Sequence, residues 1–232
     1  MFCACAADRV MKARELLATA RIAGGDELRL FRRDTEFTIA LGGNELMSSR
    51  LSGSEEALAT MTCDRLRAPS PHLLIGGYGM GFTLRAALAR LDAGARVTVA
   101  ELVPEIIDWA RGPMADVAAG CLEDPRVEIV LEDVGAVIAA APRRYDAILL
   151  DVDNGPDGLC RAGNDRLYCL QGLAAAKAAL RPGGVLAIWS AGPDARFTRR
   201  LREGGFSVEE SSVRARGNGK GARHVIWFAA VR

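Results

Sequence analysis

A glycine-rich segment and an acidic residue have the spacing expected of a nucleoside-binding turn. Residues 76–81, with the sequence GGYGMG, directly follow the apolar run 73–75, and Glu101 directly follows a second apolar run, 97–100. Glycine has no Cβ, so a ligand can approach its backbone closely. A helix beginning near Phe82 would point its free N–H groups back at the turn, and a carboxylate at the end of the next strand can accept both hydroxyls of a ribose. The pattern therefore predicts nucleoside binding; the alternative is a glycine-rich turn that binds no ligand.

More acidic and polar residues follow the third and fourth predicted strands. Asp133 could accept a hydrogen bond from an adenine amino group, or it could cap the following helix. The long segment 152–168 is rich in Asp, Asn and Gly. Active sites of open α/β sheets lie beyond the C-terminal ends of the strands, and loops of this length are often functional. We therefore expect this loop to border the reacting group, although its composition also suits a solvated turn.

The last two strands supply further candidates. Trp189, at the end of the fifth strand of the α/β domain, would form another wall of the site. Arg223 belongs to a group of basic residues around the last hairpin, which could bind an acidic substrate or form a solvated basic face. His224 could act as a general base, but its place in a strand favours a packed imidazole.

Composition narrows the function classes. The chain has 232 residues and a formal net charge of +1, which suits one sizeable α/β domain with a small appendage and gives no indication of a nucleic-acid or membrane partner. Charged residues interrupt the apolar character of the first seventeen residues, so we expect no signal peptide and a cytoplasmic location. Six cysteines without a C-x-x-C pair and only two histidines predict reduced thiols and no metal site.

Periodicity predicts two domains, 1–68 and 69–232. The first would contain a helix over 8–23, a small antiparallel hairpin or three-stranded meander over 27–47, and a linking helix that Ser54 could cap. The second would be an α/β domain. Its strands are expected near 72–75, 96–101, 126–131, 145–151, 183–190, 206–214 and 223–230. Because only a short glycine-rich loop joins the last two strands, they should be antiparallel, which is typical of the class I methyltransferase-type doubly wound sheet, otherwise mostly parallel.

Several of these segments together resemble the spermidine synthases and their relatives. The resemblance covers roughly 27–190, and its main motifs are GGYGMGFTLR, VAELVPEII, DPRVEIVLED, YDAILLDVDNGP and LRPGGVLAIW. The hairpin with ELMSSRLSGSEEAL resembles the later part of the family's N-terminal β domain. The resemblance implies a class I methyltransferase fold and a possible homodimer. It also implies a cradle for the nucleoside at Gly77, Gly79 and Gly81, ribose binding by Glu101, adenine binding by Asp133, and a border to the sulfonium at Asp151.

Two departures from that family bear on the reaction. The family carries an Asp within the turn, GGGDGG, to hold the amine end of decarboxylated S-adenosylmethionine, whereas this turn contains no carboxylate. The family's second Asp in D-x-x-D-P takes a proton from the attacking amine, and Asn154 stands at that position here. A neutral amide cannot accept that proton. Asp153, one residue away, is an alternative base.

The leading hypothesis is therefore an S-adenosylmethionine-dependent transferase that moves a methyl group to an amine or hydroxyl of a small molecule. Transfer of the aminocarboxypropyl group from the same cofactor is a variant. The second hypothesis is a polyamine aminopropyltransferase that uses decarboxylated S-adenosylmethionine, with Asp153 as base. A non-catalytic nucleoside-binding module is a third, and an NAD-dependent oxidoreductase is a weaker fourth because the last strand is predicted to be antiparallel.

These hypotheses assign roles to specific residues. The candidate cofactor-binding residues are Gly76, Gly77, Gly79, Met80, Gly81, Glu101, Leu102, Asp133, Val134 and Asp151. The candidate catalytic residues are Asp151, Asp153, Asn154 and Tyr168. The candidate substrate-binding residues are Ser54, Glu55, Asn164, Trp189 and Arg223.

Overall fold

A four-stranded antiparallel sheet forms the N-terminal unit. The computed structural model describes residues 13–22, 26–152 and 165–231, and the chain divides into two compact units after Ser48. The strands of the first unit are β1 (Glu15–Arg21), β2 (Glu27–Arg33), β3 (Glu36–Leu41) and β4 (Asn44–Ser48), in the order β1-β2-β3-β4. All neighbouring pairs are antiparallel. The predicted meander is confirmed for β2, β3 and β4, and the sheet has one more strand than expected.

The additional strand corrects the predicted N-terminal helix. Over Glu15–Arg21 the backbone pairs with β2 instead of forming helical hydrogen bonds, and only Ala20 of this strand is buried. Opposite charges face each other at both ends of the pairing, with Glu15 opposite Arg32 and Arg21 opposite Glu27, and such cross-strand pairs stabilise a register. Helix propensity is a weak preference that tertiary pairing overrides. The rest of the predicted helix, 8–12 and 23, lies outside the described residues.

The second unit contains a seven-stranded sheet with the order β10-β11-β9-β8-β5-β6-β7. Its strands are β5 (His72–Gly76), β6 (Arg96–Ala100), β7 (Val127–Val130), β8 (Tyr145–Leu150), β9 (Leu180–Ser190), β10 (Phe206–Arg214) and β11 (Arg223–Val231). Strands β5 to β9 are parallel to their neighbours in that set. Strand β11 is antiparallel to both β9 and β10. This arrangement confirms the predicted doubly wound sheet with an antiparallel last strand.

Helices cover both faces of this sheet. They are α1 (Gly53–Cys63), α2 (Phe82–Leu88), α3 (Pro104–Arg111), α4 (Ala115–Ala118), α5 (Val134–Ala139), α6 (Asp165–Tyr168), α7 (Leu170–Ala179) and α8 (Ala195–Glu203). The largest fully buried side chains of the unit include Trp227, Tyr145, Tyr168 and Phe197. Among the described helices, none is long and apolar enough to span a bilayer.

Helix α1 belongs with the sheet of the second unit. It packs against α2 and against β8, β9, β10 and β11. The Gly53 N–H donates to the Ala215 carbonyl at 3.0 Å, and a Cβ on Gly53 would lie 2.4 Å from the backbone carbon of Arg216. The boundary expected at residue 68 therefore differs from the division at Ser48, because α1 buries its apolar side chains on the larger sheet.

Candidate active site

The glycine turn lies where the parallel strands β5, β6 and β8 end. The Gly77 N–H donates to the Ala100 carbonyl at 2.9 Å, and the Asp151 N–H donates to the Gly76 carbonyl at 3.0 Å. Gly77 has φ +85°, and a Cβ there would lie 2.6 Å from the Asp151 carbonyl oxygen. Only glycine fits such a position without strain. The turn therefore brings the ends of three strands together at one edge of the sheet.

The two larger side chains of the turn pack into the protein. Tyr78 and Met80 are both buried. The Tyr78 hydroxyl lies 3.4 Å from Sγ of Cys121 and also close to Gly81, whose added Cβ would be 2.6 Å from it. The turn therefore supplies backbone groups to the cleft and no charged side chain.

Glu101 braces the turn through both carboxylate oxygens. Oε2 accepts the Tyr78 N–H at 2.9 Å, and Oε1 accepts the Val103 N–H at 2.9 Å. The side chain is only 6% exposed, and this burial raises its pKa although the N–H donors act in the opposite direction. Each carboxylate oxygen can accept more than one hydrogen bond, so a ribose-binding role remains compatible with this bracing. The neighbouring Leu102 is 43% exposed.

Asp133 is the N-cap of α5, which confirms the capping role that the sequence predicted as one of its two alternatives. Its Oδ1 accepts the Ala136 N–H at 3.2 Å. Next to it, Val134 is buried, and its Cγ2 would lie 2.8 Å from a Cβ on Gly76. Val134 therefore packs directly against the glycine turn. The adenine-binding role of Asp133 stays a prediction.

Two half-buried carboxyls lie together beside the turn. Asp151 follows β8, and its Oδ2 accepts a hydrogen bond from the Thr83 hydroxyl at 2.7 Å. The same hydroxyl is 3.5 Å from the Glu55 carbonyl oxygen. Burial raises the pKa of Glu55 to about 7, with repulsion from Asp151 as the next cause. Burial also raises the pKa of Asp151 to about 6. Such a pair favours a bound cation or a shared proton.

A chain of hydrogen bonds runs from β11 to Glu55. The Ser54 hydroxyl lies 2.8 Å from Oε2 of Glu55 and 2.9 Å from Nδ1 of His224. A serine hydroxyl has one proton, and if it donates this proton to Glu55, His224 must donate its Nδ1–H to Ser54. Burial lowers the pKa of His224, which favours the neutral ring. The His224 ring also packs edge-on against Trp189, with centroids 4.8 Å apart. This packing agrees with the interpretation of His224 as a packed imidazole.

The remaining candidates among the described residues are Tyr168, Trp189 and Arg223. Tyr168 is buried, its hydroxyl donates to the Val152 carbonyl at 3.4 Å, and its ring packs on Phe197. Trp189 is half-buried, and its indole N–H has no hydrogen-bond partner among the described residues. Arg223 precedes His224 in β11, so its side chain lies on the opposite face of the sheet.

The described residues do not include every candidate. Asp153, Asn154 and Asn164 lie outside them. Within the described ranges, no group of three or more His, Cys, Asp and Glu residues could hold a metal ion.

Sequence reasoning did not identify Thr83 as part of this site. It is a small polar residue in the first turn of α2, only 2% exposed. Its position directly after a glycine turn, at the N-terminus of a helix, was the available signal. The contact itself joins residues 68 positions apart, and neither local pattern nor spacing indicates such a pairing.

Comparisons with known proteins match the segment that carries this site. The family model described as spermine/spermidine synthase domain matches residues 52–194. The polyamine aminopropyltransferase of Mycobacterium tuberculosis (strain ATCC 25618 / H37Rv) is 32% identical over 145 residues, which are 59% of this chain and 27% of that protein. Polyamine aminopropyltransferase 2 of Pseudomonas aeruginosa is 34% identical over 124 residues, covering 52% of this chain and 33% of that protein. The matches thus span about a third or less of these two relatives.

Solved structures extend the similarity over nearly the whole chain. Spermidine synthase from Thermotoga maritima superposes with a TM-score of 0.74 at 19% identity, covering 93% of this chain and 72% of that chain. A spermidine synthase crystallised in complex with the transition state analogue AdoDATO gives a TM-score of 0.73 at 20% identity, with the same coverage. These superpositions establish a shared, class I methyltransferase-type fold.

Proposed function

The chain belongs to the spermine/spermidine synthase family, and on that premise we propose that it is a polyamine aminopropyltransferase. The nitrogen of a primary amine attacks the aminopropyl methylene carbon beside the sulfonium of decarboxylated S-adenosylmethionine. A C–N bond forms, the C–S bond breaks, and methylthioadenosine leaves. Methyl transfer, the leading hypothesis from the sequence, receives less support, because the curated relatives are aminopropyltransferases.

The observation that carries this proposal is the carboxyl pair of Glu55 and Asp151 beside the glycine turn. Burial raises the pKa of both acids, and the charge of Asp151 raises the pKa of Glu55 further, so a cation placed between them would stabilise their ionised forms. Polyamines and the aminopropyl arm are both cationic at neutral pH. The negative charge of the site is therefore complementary to the positive charge of both reactants.

Asp151 can take the role of the acidic residue that the glycine turn of this chain lacks. The family's acidic residue in the turn holds the amine end of the donor, and Tyr78 and Met80 here pack away from the cleft. Asp151 follows the neighbouring strand, and its carbonyl oxygen is in the immediate surroundings of Gly77. We assign it to the ammonium group of the donor, with Thr83 fixing the orientation of its carboxylate.

The nucleoside half of the donor is assigned to the backbone of the turn, to Glu101 and to the adjoining residues Leu102, Asp133 and Val134. The reaction then needs little more than proximity and in-line alignment of the amine and the methylene carbon. A homodimer and a cytoplasmic location, both expected from the sequence, stay predictions.

The test is a comparison of by-products. We expect methylthioadenosine when the protein is incubated with decarboxylated S-adenosylmethionine and putrescine or spermidine. The same amines with intact S-adenosylmethionine should give no adenosylhomocysteine. Adenosylhomocysteine as the only nucleoside product would restore the methyltransferase hypothesis, and binding of both nucleosides without any product would favour the non-catalytic module.

Asp151→Asn provides a second arm of this test. It removes the charge that we assign to the donor's ammonium group and keeps the shape of the side chain. We expect weaker binding of decarboxylated S-adenosylmethionine and nearly unchanged binding of methylthioadenosine, which has no ammonium group. Equal losses for both compounds by calorimetry would contradict this assignment.

A further inference from the structure

We propose that the indole ring of Trp189 forms one wall of the acceptor subsite and binds the distal ammonium group of a diamine acceptor through a cation–π contact. This inference rests on the aminopropyltransferase function proposed above and deepens it. It adds a specificity-determining residue, and it describes the acceptor as an amine that carries a second positive charge a short methylene chain away from the attacking nitrogen.

Strand pairing places Trp189 next to the carboxyl pair. Strands β8 and β9 are parallel, and they stay in register as far as Leu150 and Ile188. The next residues along the two strands are Asp151 and Trp189, so these two lie side by side where neighbouring strands are about 4.8 Å apart. Residues paired in this way point to the same face of a sheet. Trp189 therefore lies beside Asp151, on the side away from the glycine turn of β5.

Contacts with β11 and α1 border Trp189 on its other side. Trp189 pairs with Ile226 of β11. The ring of His224, two residues earlier in the same strand, packs against the indole with centroids 4.8 Å apart and an angle of 78° between the planes. His224 in turn contacts Ser54 at 2.9 Å, and Glu55 is the next residue of α1. The indole is therefore bordered by the carboxyl pair on one side and by His224 on the other.

The part of Trp189 that a ligand can reach consists of ring carbon. The residue is half-buried, but its indole nitrogen is buried and has no hydrogen-bond partner among the described residues. Because β9 is paired on both sides, the backbone contributes little to the exposed surface. An aromatic surface without an accessible N–H packs on methylene groups and attracts cations to the face of its ring.

The charges around the indole favour a cation. Burial lowers the pKa of His224, which favours the neutral ring next to Trp189. Glu55 and Asp151 are negative when ionised, and Arg223 lies on the opposite face of the sheet. Because the carboxyl pair and the indole belong to neighbouring elements, a short methylene chain is long enough to join them. A diamine can therefore place one nitrogen at the carboxyl pair and the other over the indole.

The first test measures the binding of putrescine and butylamine to the full chain with methylthioadenosine bound, by calorimetry. The two amines have chains of the same length, but butylamine has only one ammonium group. Trp189→Leu removes the ring and keeps an apolar side chain. We expect it to weaken putrescine binding about 3–10-fold and to leave butylamine binding nearly unchanged. Trp189→Phe keeps an aromatic face and should lose less. Equal losses for both amines would overturn the inference, because the ring would then act only as an apolar wall.

Tryptophan fluorescence provides a second readout. The chain has three tryptophans, and the other two, Trp109 and Trp227, are only 5% and 0% exposed. Putrescine should therefore change the fluorescence of the methylthioadenosine complex mainly through Trp189. Trp109→Phe is the matched control and should keep this change, whereas Trp189→Phe should abolish it. A change that persists in Trp189→Phe would contradict the proposed contact.

Steady-state kinetics separates binding from chemistry. Trp189→Leu should raise the KM for putrescine with little change in kcat, because the distal ammonium group is remote from the carbon that is attacked. A lower kcat at unchanged KM would also overturn the inference. Methylthioadenosine binding shows that each variant is folded. If the wild-type chain forms no methylthioadenosine with any polyamine, the proposed function fails, whereas the fluorescence titration still decides whether a diamine binds over Trp189.

Discussion

The Thr83 hydroxyl lies 2.7 Å from Oδ2 of Asp151. This hydrogen bond joins the first turn of α2 to the end of β8, directly beside the glycine turn. Thr83 is almost completely buried, and the Glu55 carbonyl lies 3.5 Å from the same hydroxyl. The Thr83 side chain therefore links α2, which follows the glycine turn, to Asp151 at the end of β8 and to Glu55 in α1.

Thr83→Val should destabilise the protein mainly at alkaline pH. A hydrogen bond to a charged group contributes about 1.5–3 kcal/mol, and this bond lowers the pKa of Asp151 against the effect of burial. Without it the pKa of Asp151 rises further, so the loss is greatest where Asp151 must be ionised. Urea unfolding should show a loss of about 2 kcal/mol at pH 8 and a smaller loss at pH 5. Thr83→Ser keeps the hydroxyl and is the control; equal losses at both pH values would contradict the explanation.

Glu55→Gln should become more stable than the wild type as the pH rises. The folded-state pKa of Glu55 is about 7, above its ordinary value of 4.5. The folded protein therefore binds this proton more tightly than the unfolded chain. The stability that this proton contributes is fully present below about pH 4 and is lost as the pH rises to about 7. Glutamine has no proton to lose. We expect the variant to gain roughly 2 kcal/mol relative to the wild type between pH 4 and pH 8.

The measurement is the free energy of unfolding of both proteins across this range. Glu56→Gln, one position along α1, should follow the wild-type curve to within about 0.5 kcal/mol. A Glu55→Gln curve parallel to the wild type would show that the carboxyl is not buried as described.

Gly77→Ala should be among the most destabilising substitutions at the turn. A residue with a Cβ at positive φ costs about 1–2 kcal/mol, and here the Cβ would also lie 2.6 Å from the Asp151 carbonyl oxygen. Gly183→Ala separates the cost of positive φ from the cost of the close contact. Gly183 has a similar φ of +77°, and no atom lies within 4 Å of the added Cβ. We expect a loss of about 1–2 kcal/mol for Gly183→Ala and a clearly larger loss for Gly77→Ala by urea unfolding. Similar losses would mean that the backbone of Asp151 moves aside easily.

Glu101→Gln should weaken the turn because one of two buried N–H groups loses its acceptor. Both carboxylate oxygens of Glu101 accept backbone N–H groups, from Tyr78 and Val103, whereas the glutamine amide has only one oxygen. The unpaired N–H costs about 1–3 kcal/mol. Thermal or urea unfolding checks the loss, and Glu105→Gln in the first turn of α3 is the control. A stable variant that binds methylthioadenosine normally would remove Glu101 from both of its assigned roles.

Much of the second unit could be predicted from local patterns. The sequence predicted all seven strands of its sheet. Strands such as β5 and β8 are short apolar runs because they are buried on both faces, whereas β10 is mostly polar and partly exposed. The short loop between β10 and β11 forced their antiparallel pairing. Pro104 is the first residue of α3, a position where a backbone N–H would have no partner within the helix and its absence costs nothing.

The first unit shows where local reasoning fails. The residues of β1 contain Leu and Ala, which favour helices in isolation. These residues pair with β2. Whether they form a strand depends on the free edge of β2, and the sequence of the segment alone does not show that this edge is available. The predicted meander was correct because its strands pair through short turns, which the sequence displays directly.

By itself the sequence determined the glycine turn, the acidic residues after the strands, and the order of the seven strands of the second unit, since each of these follows from residues close together in the chain. Only the tertiary structure decided that Glu55 lies beside Asp151, and that Ser54 contacts His224 across 170 positions. These contacts arise because α1 packs against β8, β9, β10 and β11. Hydrophobic periodicity specifies that a helix has a buried face, but the strands on which that face packs depend on the shapes of both surfaces.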